Sequence, residues 1–197
     1  MKKVKFSRKE AALYESAISG YYETIEKISK IHKTNPSIDD INNKIDLYGE
    51  NISCLIHCVN FWKKVETDIP PNIPARDEAV DFLMRIYYFK DARMVVDKLN
   101  EIGLYSENLG QSVGRIKIKS YKDEIDKIKL YEDTSKKVIS FIKNNSGMEQ
   151  SKLRKELSNL DKDALTWVLN RTYFIKKEKK GNKNYIYLVE GWCFNGL

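Results

Sequence analysis

The sequence predicts a mainly α-helical protein with small β-hairpins. Apolar residues recur at spacings of three and four through most of its 197 residues, which is the period of one helix face. Strand signals are confined to two short basic segments, at 115–119 and 174–189. A hydrophobic content of 42% and a mean hydropathy of −0.55 indicate a globular chain. No apolar run approaches the roughly 18–20 residues that a membrane span needs.

The first predicted helix covers residues 7–33, where apolar residues form a nearly continuous stripe. A proline at position 36 breaks it. Ser37 follows the break and is a predicted N-cap of the next helix, because its hydroxyl can accept a hydrogen bond from a free backbone N–H.

Residues 38–62 predict two short helices joined by a tight turn at 46–49. Apolar residues at helical spacing would pack each of them. The short connection resembles a helix-turn-helix. Acidic residues surround the turn, and the candidate recognition face with Asn51 and His57 carries little positive charge. A dimerising or fold-supporting role is therefore as consistent with this segment as contact with DNA.

The central part begins with a predicted linker, since three of the four prolines lie within residues 69–74. Residues 76–105 then predict two helices joined by a tight break, with Gly103 ending the second. A polar loop and the basic strand at 115–119 follow, which resembles the tail of a winged helix. The alternative is a helical layer covered by a small hairpin. A connecting helix is expected over 121–133.

The C-terminal part predicts three short helices followed by a lysine-rich hairpin. The helices are expected at 136–144, 146–157 and 161–172. Asp161 is a candidate N-cap of the third helix. Gly181 and Asn182 have the chemistry of a hairpin turn between two strands.

This order of elements resembles the winged helix-turn-helix superfamily of DNA-binding proteins, over about a quarter of the chain. Together with the N-terminal resemblances, it implies a tandem helix-turn-helix and winged-helix architecture, with domains at 1–74, 75–133 and 134–197. It also implies that residues 161–172 form a recognition helix in a DNA groove and that residues 176–184 form a wing whose lysines hold phosphates. The DNA-binding residues that the resemblance implies are Lys162, Thr166, Asn170, Arg171, Lys176, Lys177, Lys179, Lys180 and Lys183.

The net charge of +7 is concentrated at the two ends of the chain. Residues 121–197 carry 16 Lys and Arg against 11 Asp and Glu, a net +5, and residues 1–35 carry 8 against 4, a net +4. Lysines that neutralise phosphates release condensed counterions, so this distribution favours a polyanionic partner. Double-stranded DNA is the expected partner. A homodimer is expected through the first helix around Tyr21, Tyr22 and Ile25, because helix-turn-helix proteins usually bind two half-sites.

The expected function is sequence-specific binding of double-stranded DNA, by a transcriptional regulator or a replication or segregation factor. Trp167 fits poorly on a base-reading face, and it could instead pack against a neighbouring domain or subunit. The alternative function is a winged-helix scaffold in a chromosome-organising or other multi-subunit complex. Trp62, Trp167 and Trp192 would then anchor a protein partner. A third class is binding of RNA or of a single strand through the tyrosines, which more simply fill the core and interfaces.

No motif in the sequence predicts catalysis, a cofactor or a metal, so we expect the protein not to be an enzyme. Cys54, His57 and Cys58 share a predicted helix face. A structural zinc site needs four ligands, however, and half-buried residues of an amphipathic helix are the simpler interpretation. An odd number of cysteines, three, argues against a disulfide framework and fits a reducing cytoplasm. The expected location is therefore cytoplasmic and on DNA, without membrane contact.

Overall fold

The computed structural model is mainly helical with small β-structure, which confirms the predicted fold class at that level. The residues it describes are 4–31, 37–65, 73–106, 112–113, 116–117 and 119–192. The helices are α1 (Arg8–Lys30), α2 (Ile38–Lys64), a π-helical segment (Ala75–Ala79) that continues into α3 (Val80–Arg85), α4 (Phe89–Glu101), α5 (Tyr121–Asn144), α6 (Gln150–Glu156) and α7 (Lys162–Arg171). The strands are β1 (Tyr105–Ser106), β2 (Ser112–Val113), β3 (Ile116–Lys117), β4 (Lys119–Ser120), β5 (Met148–Glu149), β6 (Ile175–Lys180) and β7 (Lys183–Leu188).

The chain divides into two compact units. The first consists of Met1–Val80 and Val95–Tyr121, and the second of Asp81–Met94 and Lys122–Leu197. Residues from the predicted central domain, 75–133, therefore occur in both units. No helix in the described ranges is both long enough and apolar enough to cross a membrane.

Serine caps begin the first two helices. The Ser7 hydroxyl accepts a hydrogen bond from the Glu10 backbone, and the Glu10 carboxylate accepts one from the Ser7 backbone. Ser37 and Asp40 form the same reciprocal pair, which confirms the predicted cap. Each pair satisfies backbone donors that a helix start leaves free. The predicted break at residues 35–36 lies outside the described residues.

The predicted turn at residues 46–49 is wrong, because α2 runs without interruption from Ile38 to Lys64. Leu47 and Tyr48 are buried and continue the stripe that packs on α1. Gly49 lies on the exposed side with open space around its Cα. A glycine inside a helix costs only about 1 kcal/mol, which burial of two large side chains outweighs. The N-terminal helix-turn-helix is therefore replaced by a pair of long helices.

Helices α1 and α2 pack through a buried stripe that includes a polar contact. Asn51 of α2 donates from Nδ2 to Oγ1 of Thr24 at 2.8 Å and to the Tyr21 carbonyl at 3.3 Å. Tyr21 itself is fully buried between the helices, whereas Tyr22 is 52% exposed. Tyr21 is thus part of the core of its own unit, and this corrects its expected place on a dimer surface.

In the first unit the described residues after α2 include the π-helical segment, the C-terminal half of α4 and the short strands β1 to β4. Gly103 has a φ of +80° and its N–H donates to the Asn100 carbonyl, which confirms it as the end of α4. The basic strand predicted at 115–119 is instead two pieces: β3 pairs antiparallel with β2, and β4 pairs parallel with β1. Lys119 of β4 forms an ion pair with Asp77 at 3.3 Å. The linker residues 69–72, the loop residues 107–111 and Arg115 lie outside the described residues.

The second unit is built on α5, which is one helix where two were predicted. Buried side chains follow one stripe from Ile128 through Thr134 and Ser135 to Ile142, so the whole length packs and no break forms. The predicted boundary at 133–134 falls inside this helix. The predicted helix at 146–157 begins only at Gln150, because Met148 and Glu149 form β5.

Strands β5, β6 and β7 form one antiparallel sheet in the order β5-β7-β6. The predicted hairpin is confirmed, with Gly181 at a φ of +60° in the turn and Lys180 opposite Lys183. Leu153, Val168, Phe174 and Ile186 are buried in the core that the helices share with the sheet. The second unit therefore has the element order α5-β5-α6-α7-β6-β7.

Candidate nucleic-acid interface

Helix α7 presents four of the predicted DNA-binding residues. Asp161 caps it, since its Oδ1 accepts from the backbone of Asp163 at 3.1 Å and of Ala164 at 2.8 Å. The buried side of the helix consists of Ala164, Leu165, Val168 and Leu169. Of the predicted residues, Lys162, Asn170 and Arg171 are exposed and Thr166 is half-buried. The amphipathic pattern therefore placed this group on the correct side of the helix.

Trp167 is attached to its own unit. Its ring stacks on Tyr131 of α5, with centroids 4.6 Å apart and planes at 28°. Its indole N–H donates to Oδ1 of Asp81 at 3.1 Å. The side chain is half-buried, so neither its ring nor its donor is simply presented to solvent. Trp62, expected on the surface as a second anchor, is only 5% exposed and belongs to the α1–α2 core.

Two cations reach α7 from its neighbouring elements. Arg154 of α6 donates from Nη1 to Oγ1 of Thr166 at 3.0 Å. Lys177 of β6 donates from Nζ to Oδ1 of Asn170. Thr166 and Asn170 are one helical turn apart on the same face. Two of the four α7 residues that the resemblance implied for DNA binding therefore accept a hydrogen bond from a cation within the protein.

The lysines of the hairpin lie on two opposite faces. Side chains alternate along a strand, and the register places Lys177 and Lys179 on the same face as the buried Ile175 and Ile186. The Lys177–Asn170 contact shows that this face adjoins α7. The remaining three predicted lysines lie on the outer face of the sheet. They are Lys176, Lys180 and Lys183.

The lysines of the outer face are already partnered. Lys176 pairs with Glu178 at 2.9 Å and Lys183 with Glu149 at 2.8 Å. Hydrogen bonds from these ammonium groups to the carboxylates raise the pKa of both lysines. Lys180 lies 5.4 Å from the ring centroid of Tyr185. Their positive charge is thus partly compensated within the hairpin.

The cations on the α7 side have a different environment. Partial burial and, second, the charge of Arg154 lower the pKa of Lys177. Within the described ranges, neither Lys177 nor Arg154 forms an ion pair with a carboxylate, and the same holds for the exposed Lys162, Arg171 and Lys179. These five side chains define the basic face of the second unit: Arg154, Lys162, Arg171, Lys177 and Lys179.

Arg154 is the member of this face that the sequence did not predict. It lies on the solvent side of a helix among other charged residues, which gave no reason to prefer it to Lys152 or Lys155. Its contact with Thr166 depends on how α6 and α7 pack, and a sequence period within one helix contains no such information.

The cysteine and histidine cluster of α2 does not form a ligand set. Cys58 is fully buried, and burial together with the neighbouring Cys54 raises the pKa of its thiol to about 12. Burial also raises the pKa of Cys54, while His57 is exposed. Among the described residues no group of three or more His, Cys, Asp and Glu side chains is placed to hold a metal ion. His32 and Cys193 lie outside the described residues.

Comparison with known proteins gives no match: no family model, curated protein or solved structure is significantly similar to this chain.

Proposed function

We propose that the protein binds double-stranded DNA through the basic face of its second unit, as a winged helix-turn-helix protein. The order of elements supports this proposal. Helices α6 and α7 are joined by the short connection 157–161, and α7 is followed directly by the basic hairpin β6–β7. A helix for a groove and a cationic hairpin beside it are the two parts that this architecture needs.

The main support for the proposal is that the cations of the basic face have no carboxylate partner in the described part of the chain. Lys162 and Arg171 are exposed on α7, Arg154 and Lys177 donate to its side chains, and Lys179 lies on the strand face of Lys177. The lysines of the outer sheet face are instead partnered by acids or by tyrosine. Cations without acidic partners lose no ion pair when they meet phosphates, and each neutralised phosphate releases counterions. The basic face is therefore the more favourable surface for a polyanion.

Sequence specificity would come from the ends of α7. Arg171 and Lys162 are exposed and are the residue types that pair with guanine edges in a major groove. The protein then acts as a transcriptional regulator or as a replication or segregation factor, in the compartment that contains the DNA. Selection of bound sites from a random duplex library tests this specificity, and palindromic sites would indicate the expected homodimer.

The salt dependence of duplex binding tests the proposal directly. The logarithm of affinity is expected to fall with the logarithm of salt concentration by about 0.9 per phosphate neutralised. The double variant Lys177→Ala/Lys179→Ala is expected to reduce this slope by about 1–2, because it removes two cations of the basic face. Fluorescence anisotropy with a labelled duplex over a salt series measures the slope.

The chain offers a matched control in the same hairpin. Lys176→Ala/Lys180→Ala removes the same charge from the outer face and is expected to leave the slope nearly unchanged. Equal effects of the two double variants would contradict the assignment of the basic face. A folded wild-type protein that binds no duplex at low salt would refute DNA binding and favour the scaffold alternative.

A further inference from the structure

Helix α7 holds two cations in a fixed arrangement. Thr166 accepts from Arg154 at 3.0 Å, and Asn170 accepts from Lys177. The acceptors are four residues apart, which is about 6 Å along the helix axis. Both acceptors are neutral, so the guanidinium and the ammonium keep their full charge. The two hydrogen bonds orient the cations without neutralising them.

The arrangement is electrostatically incomplete. Arg154 lies near enough to Lys177 for its charge to add to the effect of partial burial in lowering the pKa of that lysine. Like charges placed together are unfavourable unless an anion lies between or beside them. In the described part of the chain, neither of the two has an acidic partner. An external anion would satisfy both cations at once.

We infer that Arg154 and Lys177 together bind one phosphate group of the DNA backbone, and that Thr166 and Asn170 position them for it. The inference rests on the proposed DNA binding and adds the ligand group and a residue from α6. Arg154 uses one Nη in its contact with Thr166 and has further N–H donors for a phosphate oxygen. Lys177 supplies a second, point-like charge.

This assignment changes the role of two residues on α7. Thr166 and Asn170 would be positioning residues whose acceptor atoms hold cations, rather than residues that read bases. Base contacts would then fall to other side chains of the helix, such as Arg171. The basic face thus has a phosphate-binding part at the junction of α6, α7 and β6.

A double-mutant series tests whether one phosphate is shared. The proteins compared are the wild type, Arg154→Gln, Lys177→Gln and the double variant, each in duplex binding over a salt series. If the two cations share one phosphate, the double variant is expected to lose about 0.9 of the log–log slope in total. If they bind separate phosphates, the loss would be about 1.8, and this result would overturn the inference. An unchanged slope in the double variant would overturn it as well.

Two further variants distinguish the effect of the charge at position 154 from the effect of its placement by Thr166. Arg154→Lys keeps the charge and is expected to retain the slope. Thr166→Val keeps the shape but removes the acceptor, so it is expected to weaken binding several-fold at constant slope. A purely structural role of Thr166 would instead show as a lower thermal midpoint, measured by circular dichroism. Loss of slope in Thr166→Val with an intact fold would contradict the positioning role.

Measurement of the Lys177 pKa by NMR in the DNA-free protein tests the geometry independently. Arg154→Gln is expected to raise it, and an unchanged value would show that the two side chains are not neighbours. A wild-type protein without duplex binding would overturn the proposed function and with it the ligand named here. If the wild type binds duplex DNA but the salt slope is the same in the Arg154→Gln/Lys177→Gln double variant, only the inferred phosphate site would be overturned.

Discussion

Trp167 attaches α7 to two other side chains of its own unit. Its ring stacks on Tyr131, and its N–H donates to Asp81. A tryptophan can make both kinds of contact only where one edge is apolar and another meets a polar acceptor. The residue therefore fixes the orientation of α7, while the neighbouring Asn170 and Arg171 remain exposed.

Two substitutions of Trp167 are expected to lower the free energy of unfolding by different amounts. Trp167→Phe keeps a ring against Tyr131 but loses the hydrogen bond to Asp81, at a cost of about 1 kcal/mol in the free energy of unfolding. Trp167→Ala also loses the stacked ring and is expected to cost about 2–3 kcal/mol. Denaturant unfolding followed by circular dichroism measures both.

Lys162→Ala, on the exposed side of the same helix, is the control for this pair and is expected to stay within about 0.5 kcal/mol of the wild type. A Trp167→Ala protein as stable as the wild type would mean that the ring contributes nothing to its unit. It would then be free to anchor a partner, as the scaffold alternative requires.

The lysines of the hairpin also differ from one another in their partners and in the direction of their pKa shifts. Lys176 and Lys183 pair with glutamates, which raises their pKa values, whereas the pKa of Lys177 is lowered. The sequence presents these lysines as one run. Only the strand register separates the lysines that pair with acids or lie near tyrosine from those on the opposite face, because neighbouring residues of a strand point to opposite sides.

At the scale of elements, α2 is the clearest case in which tertiary packing overrides a local turn signal. Its centre contains Asp46 and Gly49, which are typical of turns, yet the buried Leu47 and Tyr48 keep it helical. Whether the helix is continuous can be tested at its glycine.

Gly49→Ala is expected to stabilise the protein by about 0.5–1 kcal/mol, because alanine loses less chain entropy than glycine in a helix. A Cβ at this position meets no atom within 4 Å, and φ is not positive. Thermal and denaturant unfolding measure the change. A destabilised variant would indicate that residue 49 adopts a turn conformation and that α2 is broken there.

Gly20 in the middle of α1 provides the contrasting case. A Cβ there would lie 2.9 Å from Sγ of Cys54, so α1 and α2 would have to shift or the thiol to turn away. Gly20→Ala is therefore expected to be less stable than Gly49→Ala by about 1 kcal/mol or more. If both alanine variants gained the same free energy of unfolding, α1 and α2 would have to be further apart at Gly20 than the structure indicates.

The sequence predicted those elements whose signals are local. Serine and aspartate caps, the Gly181 turn and the apolar stripes of α1 and α7 all depend on residues within one or two turns. It did not predict β5, since Met148 and Glu149 become a strand only by pairing with β7. The contact of Arg154 with Thr166 was missed for the same reason, because it joins two helices whose crossing angle no local pattern specifies.

Across the whole molecule, the sum of charges is a poorer guide than their pairing. The basic N-terminal segment contains Lys27 and Lys30, each paired with a glutamate one turn earlier in α1. Lys64 of α2 likewise pairs with Glu10. Some of the positive charge in the first unit is thus compensated by nearby carboxylates, whereas the cations of the basic face have no ion pair in the described part of the chain. This difference is the reason for assigning the proposed DNA contact to the second unit.

Ion pairs in each unit are expected to make the protein sensitive to acid. In the first unit, hydrogen bonds from the Ser7 backbone and from Lys64 lower the pKa of Glu10 to about 2. In the second unit, burial alone would raise the pKa of Glu132, but hydrogen bonds from Lys136 and Arg93 outweigh burial and lower it. A carboxyl whose pKa is lower in the folded state stabilises the fold above its unfolded pKa, and this contribution is lost as the pH falls towards the folded value.

The melting temperature is therefore expected to be nearly constant above about pH 6 and to fall steadily as the pH is lowered below 4.5, the ordinary pKa of a glutamate side chain. Glu132→Gln is expected to melt lower than the wild type at pH 7, because Arg93 and Lys136 lose their charged partner. Its melting temperature should also fall less between pH 7 and pH 3, since the variant has one fewer carboxyl to protonate.

Glu156→Gln is the control, because this exposed carboxylate of α6 forms no ion pair in the described part of the chain. Its melting curve against pH should follow that of the wild type. If the Glu132→Gln curve were parallel to the wild-type curve over this range, protonation of Glu132 could not be a source of the acid sensitivity.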